Sequence, residues 1–305
     1  MTPALKAPFP YMGGKSRAAD AVWRFLGPNV PNYVEPFAGS LAVLLRRPGG
    51  AGKIETVNDL DGGIVNFWRA VTTEPEAVEH WCDWPVSEID LHARHRWLRA
   101  RLGEMAEQLR ADPDFFDPKA AGWWVWGISQ WIGKASGTGG VHGQLPKLGT
   151  GGTGIHRLEA PPCAAWFAAL SARLRRVRVV CGDWRRVLGP SVTGRDKSCG
   201  MYPCAVFLDP PYDLSMRDKD IYGCDEAGVS AAVREWALEH GDDPRLRIAV
   251  CGYEGEHDFP GWRVHRWKAH GGYALRNPDN QNKHRERIWL SPHCLAGDVQ
   301  AELFG

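Results

Sequence analysis

Asp209-Pro210-Pro211-Tyr212 follows directly on the apolar run Ala205-Val206-Phe207-Leu208. Two prolines end a strand and stiffen the turn after it, because each fixes its own backbone angle and restricts the residue before it. Such a turn holds a carboxylate, a backbone carbonyl and an aromatic ring in fixed relation. Pro-Pro turns are common, but a buried strand before this one, with an acid and a phenol on either side, favours a chemical role. Three more acids stand where strand candidates end: Glu35 closes Asn32-Tyr33-Val34, Asp59 follows Ile54-Glu55-Thr56-Val57-Asn58, and Asp183 follows the run Val177 to Cys181 and Gly182. Ligands of open α/β sheets bind outside the carboxyl ends of the strands. Aspartate also commonly caps the helix after a strand. One such cap is ordinary; four unrelated caps are less so.

The elements around these residues alternate. Strands over 32–35 and 54–57 are each followed by a helical pattern, the first starting at Leu41 to Leu45 and the second carrying Ile64, Phe67, Trp68 and Val71 on one face. The alternation resumes with a helix over Trp166 to Leu174, strands over 177–181 and 205–208, a helix over Ala231 to Leu238 and a strand over Ile248 to Cys251. Two last strand candidates, Trp262 to Trp267 and Arg287 to Leu290, can pair as a hairpin at a sheet edge. The pattern predicts a mostly parallel sheet with helices on both faces. Residues 73–162 break it. Arg94 to Leu109 is helical and rich in charge, and Trp123, Trp124, Trp126 and Trp131 crowd one short segment that reads as a small local core. Gly133 to Gly154 is dominated by glycine, with no packed element expected. The predicted division is therefore 1–72 with 163–305 as one domain, and 73–162 inserted into it.

The chain has 305 residues, 44% hydrophobic and 24% charged, with a formal net charge of +1. No apolar run approaches the roughly 20 residues of a membrane span, and the first residues do not resemble an export signal, so a cytoplasmic protein is expected. No global excess of positive charge argues for a polyanionic partner; local clusters at Arg94, Arg96, Arg99 and Arg101 and at Arg173, Arg175, Arg176 and Arg178 must carry that reading or be solvated helix faces. None of the eight cysteines forms a Cys-x-x-Cys pair, and neither a metal site nor a disulfide framework is expected.

Taken in order, Pro10-Tyr11-Met12-Gly13-Gly14-Lys15, Glu35-Pro36-Phe37-Ala38-Gly39-Ser40, Asn58-Asp59, Gly182-Asp183 and Asp209-Pro210-Pro211-Tyr212 resemble the motifs of the Dam-type DNA adenine methyltransferases in which the cofactor motifs precede the catalytic one. The tail Arg285 to Pro292 resembles the closing strand of that family. The resemblance covers both ends of the chain and leaves the middle unmatched. It implies a Rossmann-like, S-adenosylmethionine-dependent methyltransferase fold, a mostly parallel α/β sheet with a C-terminal edge hairpin and an inserted, mainly helical and loop target-recognition region.

The resemblance also implies roles. Asp209 and the carbonyl of Pro210 would accept the two hydrogens of the adenine N6 amine, with Pro211 stiffening the turn and Tyr212 stacking on a base flipped out of double-stranded DNA. For the cofactor, Lys15 and the backbone at Gly13 and Gly14 would hold the carboxylate, and Tyr11 belongs to the same motif. Glu35 would lie near the ammonium, with Phe37 and Gly39 in the turn beneath. Asp59 would accept from the ribose hydroxyls and Asp183 from the adenine amine, with Trp184 either beside that ring or in the core. Arg94 and Arg96 would touch phosphates, and Lys134, His142, Gln144 and Lys147 would read bases. Many relatives have a second glycine where this chain has Leu41. Other readings are a methyltransferase of guanine N2 in RNA, one of cytosine N4 in DNA, and a non-catalytic DNA-binding module of the same descent.

Overall fold

The computed structural model describes residues 5–9, 11, 14–132, 147–148, 155, 162–196, 201–212, 228–267 and 285–296. In chain order the first elements are α1 (Ala19–Leu26), β1 (Asn32–Glu35), α2 (Ala42–Leu45), β2 (Ile54–Asp59) and α3 (Gly62–Thr73). Next come α4 (Pro75–Cys82), α5 (Glu88–Ala111), α6 (Pro118–Gln130), β3 (Trp131–Ile132) and β4 (Lys147–Leu148). The chain continues through α7 (Cys163–Leu174), β5 (Val177–Cys181), β6 (Cys204–Leu208), α8 (Val229–His240), β7 (Leu246–Tyr253), β8 (Arg263–Arg266) and β9 (Glu286–Leu290). The seven-stranded sheet has the order β5-β2-β1-β6-β7-β9-β8. β5, β2, β1, β6 and β7 run parallel; β9 is antiparallel to both β7 and β8. The mostly parallel α/β sheet agrees with the predicted Rossmann-like methyltransferase fold. The expected C-terminal pair forms at the edge, with β9 inside and β8 outermost.

Strand alternation distributes the apolar residues to two layers. Along β6, Ala205 and Phe207 join one buried cluster with Tyr33, Val57 and Phe67, whereas Cys204, Val206 and Leu208 join another with Val34, Ile248 and Val233. A strand buried on both faces reads as a continuous apolar run, which is why 205–208 was legible. Parallel pairing then brings the carboxyl ends of β5, β2, β1 and β6 to one edge of the sheet.

Most of residues 75–130 fall in α4, α5 and α6, whose apolar faces merge with the main core: Val78, Leu91, Trp124 and Trp126 belong to the same buried cluster as Phe67, Trp68 and Phe167. Two glycines set the close approaches. A Cβ on Gly62 would lie 2.5 Å from the backbone nitrogen of Ala106, and one on Gly122 would lie 2.7 Å from the carbonyl of Val78. Among the described residues there is an element that sequence did not suggest, the antiparallel backbone pairing of Lys147–Leu148 with Trp131–Ile132. Too short for any periodicity, it leaves no signal in composition. Lys134, His142 and Gln144 lie outside the described residues, and of Lys147 only the backbone is described.

The basic clusters divide. Arg94 is only 8% exposed, with its guanidinium over the rings of Trp84, Trp123 and Trp126 at 4.8, 4.9 and 4.2 Å. Burial lowers its pKa from the usual guanidinium value. The expectation that Arg94 touches phosphates is therefore corrected: it is the cation of an aromatic cage, and a helix-face count cannot see three tryptophans converging from two other segments. Arg96, Arg99 and Arg101 stay exposed on α5. In the second cluster Arg173 turns inward and, with Arg47, grips the buried carboxylate of Glu55 at 2.7 and 3.0 Å, while Arg175, Arg176 and Arg178 face solvent. The helices among the described residues include none long and apolar enough to cross a membrane.

Among the described residues, Leu41, which precedes α2, is the only non-glycine with a positive φ, at 53° with ψ 28°. That is the left-handed region, where a Cβ crowds the following carbonyl. Glycine adopts this conformation without that cost. Leu41 has the compensation of a fully buried side chain. Truncation here is expected to invert the usual preference for alanine over glycine. Leu41→Ala loses the buried side chain and keeps the strain, whereas Leu41→Gly loses the side chain and relieves roughly 1–2 kcal/mol of strain. Both variants melt below the wild type, by roughly 2–5 kcal/mol for the alanine, and the glycine variant is the more stable of the two. Thermal or urea unfolding of the pair checks this; an alanine variant at least as stable would contradict it.

Candidate active site

The four acids that end strands meet around one cleft. Its volume is about 920 Å³, including the part open to solvent, and Glu35, Asp59, Asp183 and Asp209 all line it, together with Tyr11, Gly14, Lys15, Phe37, Gly39, Trp184 and Pro211. Every predicted cofactor residue that the structure describes is thus in a single cavity at the carboxyl edge of the sheet. Gly13 lies outside the described residues.

Hydrogen bonds to backbone carbonyls tie the loops after β1, β2 and β5 into one floor. The Asn58 side-chain amide donates to the carbonyls of Pro36 (3.0 Å) and Gly182 (2.9 Å), and the Ala38 N–H donates to the Asn58 carbonyl. The Trp68 indole N–H donates to the Gly39 carbonyl at 2.9 Å. Asn58, expected only as part of the Asn58-Asp59 motif, and Trp68, expected only on the apolar face of its helix, are thus positioning residues for this floor. Gly39, at φ +45°, has no room for a side chain, because a Cβ would come within 2.6 Å of the Tyr11 ring.

Each acid has a distinct environment. Glu35 is 2% exposed and accepts from the Tyr33 hydroxyl at 2.9 Å. Burial pushes its pKa up to about 8, opposed by that hydrogen bond. Asp59 accepts the Gly39 N–H on one oxygen (2.9 Å) and the Asp61 N–H on the other (3.0 Å), and burial raises it to about 6. Asp183 behaves as a cap: it accepts the Arg185 N–H at 2.8 Å and pairs with the guanidinium of the same residue at 3.1 Å. Trp184 is buried in the core, its ring tilted at 32° against Phe37 at 5.9 Å. Of the two places open to it, Trp184 takes both: it belongs to a buried cluster and also lines the cleft beside Phe37.

Asp209 sits at the end of β6 with Lys15. The ammonium is 3% exposed and lies 2.9 Å from Asp209 Oδ1 and 3.9 Å from Glu286 Oε2. Burial raises the Asp209 pKa to about 6, and Lys15 opposes the shift. The carboxylate that Lys15 holds is thus Asp209, while the Gly14 N–H turns to the Tyr11 carbonyl at 3.2 Å.

Tyr212 corrects another expectation. It is 5% exposed, its hydroxyl donates to Glu286 at 2.7 Å, Lys15 lies over its ring at 5.1 Å, and Tyr253 packs against it in a T-shaped contact at 4.6 Å. A buried phenol must find an acceptor, and the acceptor is Glu286 on β9. The ring does not present an open face for stacking. Glu286 is the residue that the motif reading missed. It lies in the tail that resembles a closing strand, and only the sheet order brings it beside Asp209.

A mostly parallel sheet with an antiparallel terminal pair and a carboxylate-lined cleft at its carboxyl edge is the arrangement of a Rossmann-like methyltransferase. Residues 11–85 match the family model of the D12 class N6 adenine-specific DNA methyltransferases. The matched stretch contains Lys15, Glu35, Gly39 and Asp59, bears out the predicted family resemblance, and points to adenine-N6 methylation of DNA at the level of the family. No curated protein matches the chain.

Methyltransferases of this kind generally use S-adenosylmethionine, and the residues present fit it. The cofactor carries an ammonium, a sulfonium, a ribose diol and an adenine; the cleft offers buried carboxylates at Glu35 and Asp59, the Phe37 ring and a glycine cradle at Gly39. A cavity of this size lies in the range of small-molecule sites.

Proposed function

We propose that the chain is an S-adenosylmethionine-dependent DNA methyltransferase that acts on the N6 amine of an adenine flipped out of the duplex. The single observation that carries this reading is the place of Asp209, which shares one cleft with Glu35 and Asp59 and sits on the rigid diproline turn. S-adenosylmethionine supplies an electrophilic methyl group on sulfur. An exocyclic amine is a weak nucleophile, because its lone pair is delocalised into the ring. Asp209 accepts one of its N–H hydrogens and the Pro210 carbonyl accepts the other, which turns the lone pair out of the ring plane. The bound cofactor would supply the methyl group and keep the carbon–sulfur electron pair, and positive charge would appear on the amine nitrogen. Asp209 would stabilise that charge, receive the proton that the methylated amine sheds and pass it to solvent. Lys15 keeps the empty carboxylate neutralised until the amine arrives.

Glu35 faces the cofactor ammonium and Asp59 the ribose hydroxyls, the latter through lone pairs that its two backbone donors leave free. Asp183 and Phe37 flank the cofactor adenine. Residues 73–162 form the target-recognition region, inserted between the halves 1–72 and 163–305, with Arg96, Arg99 and Arg101 of α5 placed against phosphates.

The test offers tritiated cofactor to unmethylated duplex DNA, to RNA and to free nucleosides, followed by nucleoside digestion. Label is expected as N6-methyladenine in duplex DNA. Label in RNA guanine or DNA cytosine selects one of the other methyltransferases, and no transfer together with no cofactor binding selects the DNA-binding module.

A further inference from the structure

The sheet order decides from which side a substrate reaches Asp209. Glu35, Asp59 and Asp183 line the cleft at the ends of β1, β2 and β5, and Asp209 lines it from β6. In the reaction proposed above, on which this inference rests, the amine attacks from the side opposite to the cofactor. The base therefore comes to Asp209 from the side of β7 and β9. Tyr212, Tyr253 and Glu286 stand there. Tyr212 and Glu286 are buried and hydrogen-bonded to each other, whereas Tyr253 is half-buried. The register places Tyr253 just outside the carboxylate. Leu208 aligns with Val250, so Asp209, one residue on, is level with Cys251, and Tyr253 lies two residues farther out, about 6.6 Å at the rise of a strand. Residues two apart on a strand share a face. Phe207 and Cys251 belong to one buried cluster, and Tyr253 packs against it, so Asp209 and Tyr253 stand on the same face of the sheet.

The backbone of Tyr253 is fixed by its pairing with Glu286 across β7 and β9 and by its N–H, which donates to Glu256 at 2.9 Å. Its ring is engaged by the T-shaped contact with Tyr212 at 4.6 Å and by the Arg285 guanidinium at 5.5 Å. Its hydroxyl has no hydrogen-bond partner among the described residues. A tyrosine whose ring is packed ordinarily finds a partner for its hydroxyl, and the partner that can reach this one is a substrate. We propose that Tyr253 is a binding residue of the target-base site, its hydroxyl donating to an acceptor nitrogen of the adenine ring beside the amine that Asp209 holds. Burial, with the charge of Glu286 next, raises the phenol pKa to about 12, so the hydroxyl stays a neutral donor wherever Asp209 is ionised. Adenine has an acceptor on either side of its amine, N1 on one edge and N7 on the other. A carboxylate that accepts from the amine and a phenol that donates to its neighbour match either edge. Guanine reverses both groups on its Watson–Crick edge, where it offers a carbonyl and an N–H.

The variant that tests this is Tyr253→Phe, which keeps the ring and its packing and removes the hydroxyl alone. Methylation sequencing of DNA from a host expressing the full chain first fixes the target site. On a duplex carrying that site, the loss of one neutral hydrogen bond should lower kcat/KM by roughly 2- to 12-fold, with cofactor affinity unchanged. The same duplex is then made with 1-deazaadenine and with 7-deazaadenine at the target, each lacking one of the two acceptor nitrogens. The ratio of wild type to variant should collapse to one on the analogue that has lost the partner of the hydroxyl, and persist on the other. A double-mutant cycle of this kind separates a contact with the base from a role in the fold, which would cost the same on every substrate. A ratio that persists on both analogues, or a variant as active as the wild type on adenine, overturns the proposal while leaving the activity standing. A wild type that methylates no adenine in DNA removes the activity itself, and this role with it.

Discussion

Asp209→Asn should reduce methyl transfer by about 10²–10³-fold, the usual loss when one preorganised group facing developing charge is removed, while the dissociation constant for the cofactor stays near the wild-type value. Asparagine has nearly the same shape, so the diproline turn is undisturbed. It lacks the charge that stabilises the amine as it becomes positive, and it removes the carboxylate that faces Lys15 at 2.9 Å. Because that charge appears only during the reaction, kcat and kcat/KM should fall together. Single-turnover kinetics with isothermal titration of the cofactor separates the two quantities. Wild-type turnover in the variant would remove Asp209 from the chemistry, and a large loss of cofactor affinity would move it to the binding site. The wild-type pH profile gives an independent check. Protonated Asp209 cannot stabilise the amine, and burial holds its pKa at about 6. Activity should therefore rise through pH 6 on the acid side rather than near 4, where an ordinary aspartate ionises.

The parts of this site that could be read from sequence are those whose chemistry is local. Asp209 announces itself because a doubly buried strand and two prolines are adjacent in the chain, and Glu35 and Asp59 because each ends an apolar strand. The sheet needed no more than the alternation of strand and helix. What stayed hidden depends on contacts between distant segments. Glu286 meets Tyr212 across 74 residues, through a strand order that places β9 between β7 and β8. Arg94 looked like a surface charge because helical periodicity places a residue on a face but says nothing of what covers that face; here Trp84, Trp123 and Trp126 do. The merging of α4, α5 and α6 with the main core escaped notice for a similar reason. A change in composition marks where a segment was inserted, but it does not reveal whether the segment packs by itself. Leu41 lies between these cases. The missing glycine was visible in sequence, while the left-handed backbone at that position was not.

Glu35→Gln should make the cofactor-free protein more stable at pH 7.5 and at the same time impair cofactor binding. Glu35 is buried, and its pKa is pushed up to about 8. A carboxyl whose folded pKa lies above its unfolded value takes up a proton on folding. The stability that it contributes is complete below the unfolded pKa and is lost as pH rises through the folded one. For Glu35 that window runs from the ordinary glutamate range to about 8, and a shift of this size corresponds to roughly 3–5 kcal/mol across the window. Asp59 and Asp209, both raised to about 6, follow the same sign but finish their change at lower pH. Between pH 6.5 and 8 the decline should therefore belong mainly to Glu35. Glutamine keeps an acceptor for the Tyr33 hydroxyl and has no proton to lose, so thermal unfolding of the variant should be nearly flat across that interval where the wild type declines. The cofactor ammonium reverses the balance. Placed against Glu35 it favours the charged form, so binding at pH 7 should release about one proton from the wild type and fewer from the variant. Calorimetry in two buffers of different ionisation enthalpy measures that number. Unfolding curves that fall in parallel would place the buried proton elsewhere, and equal proton release would separate Glu35 from the ammonium. If both results hold, the cofactor site is held in its open form by a destabilising buried acid, and the cationic ligand is the partner that relieves it.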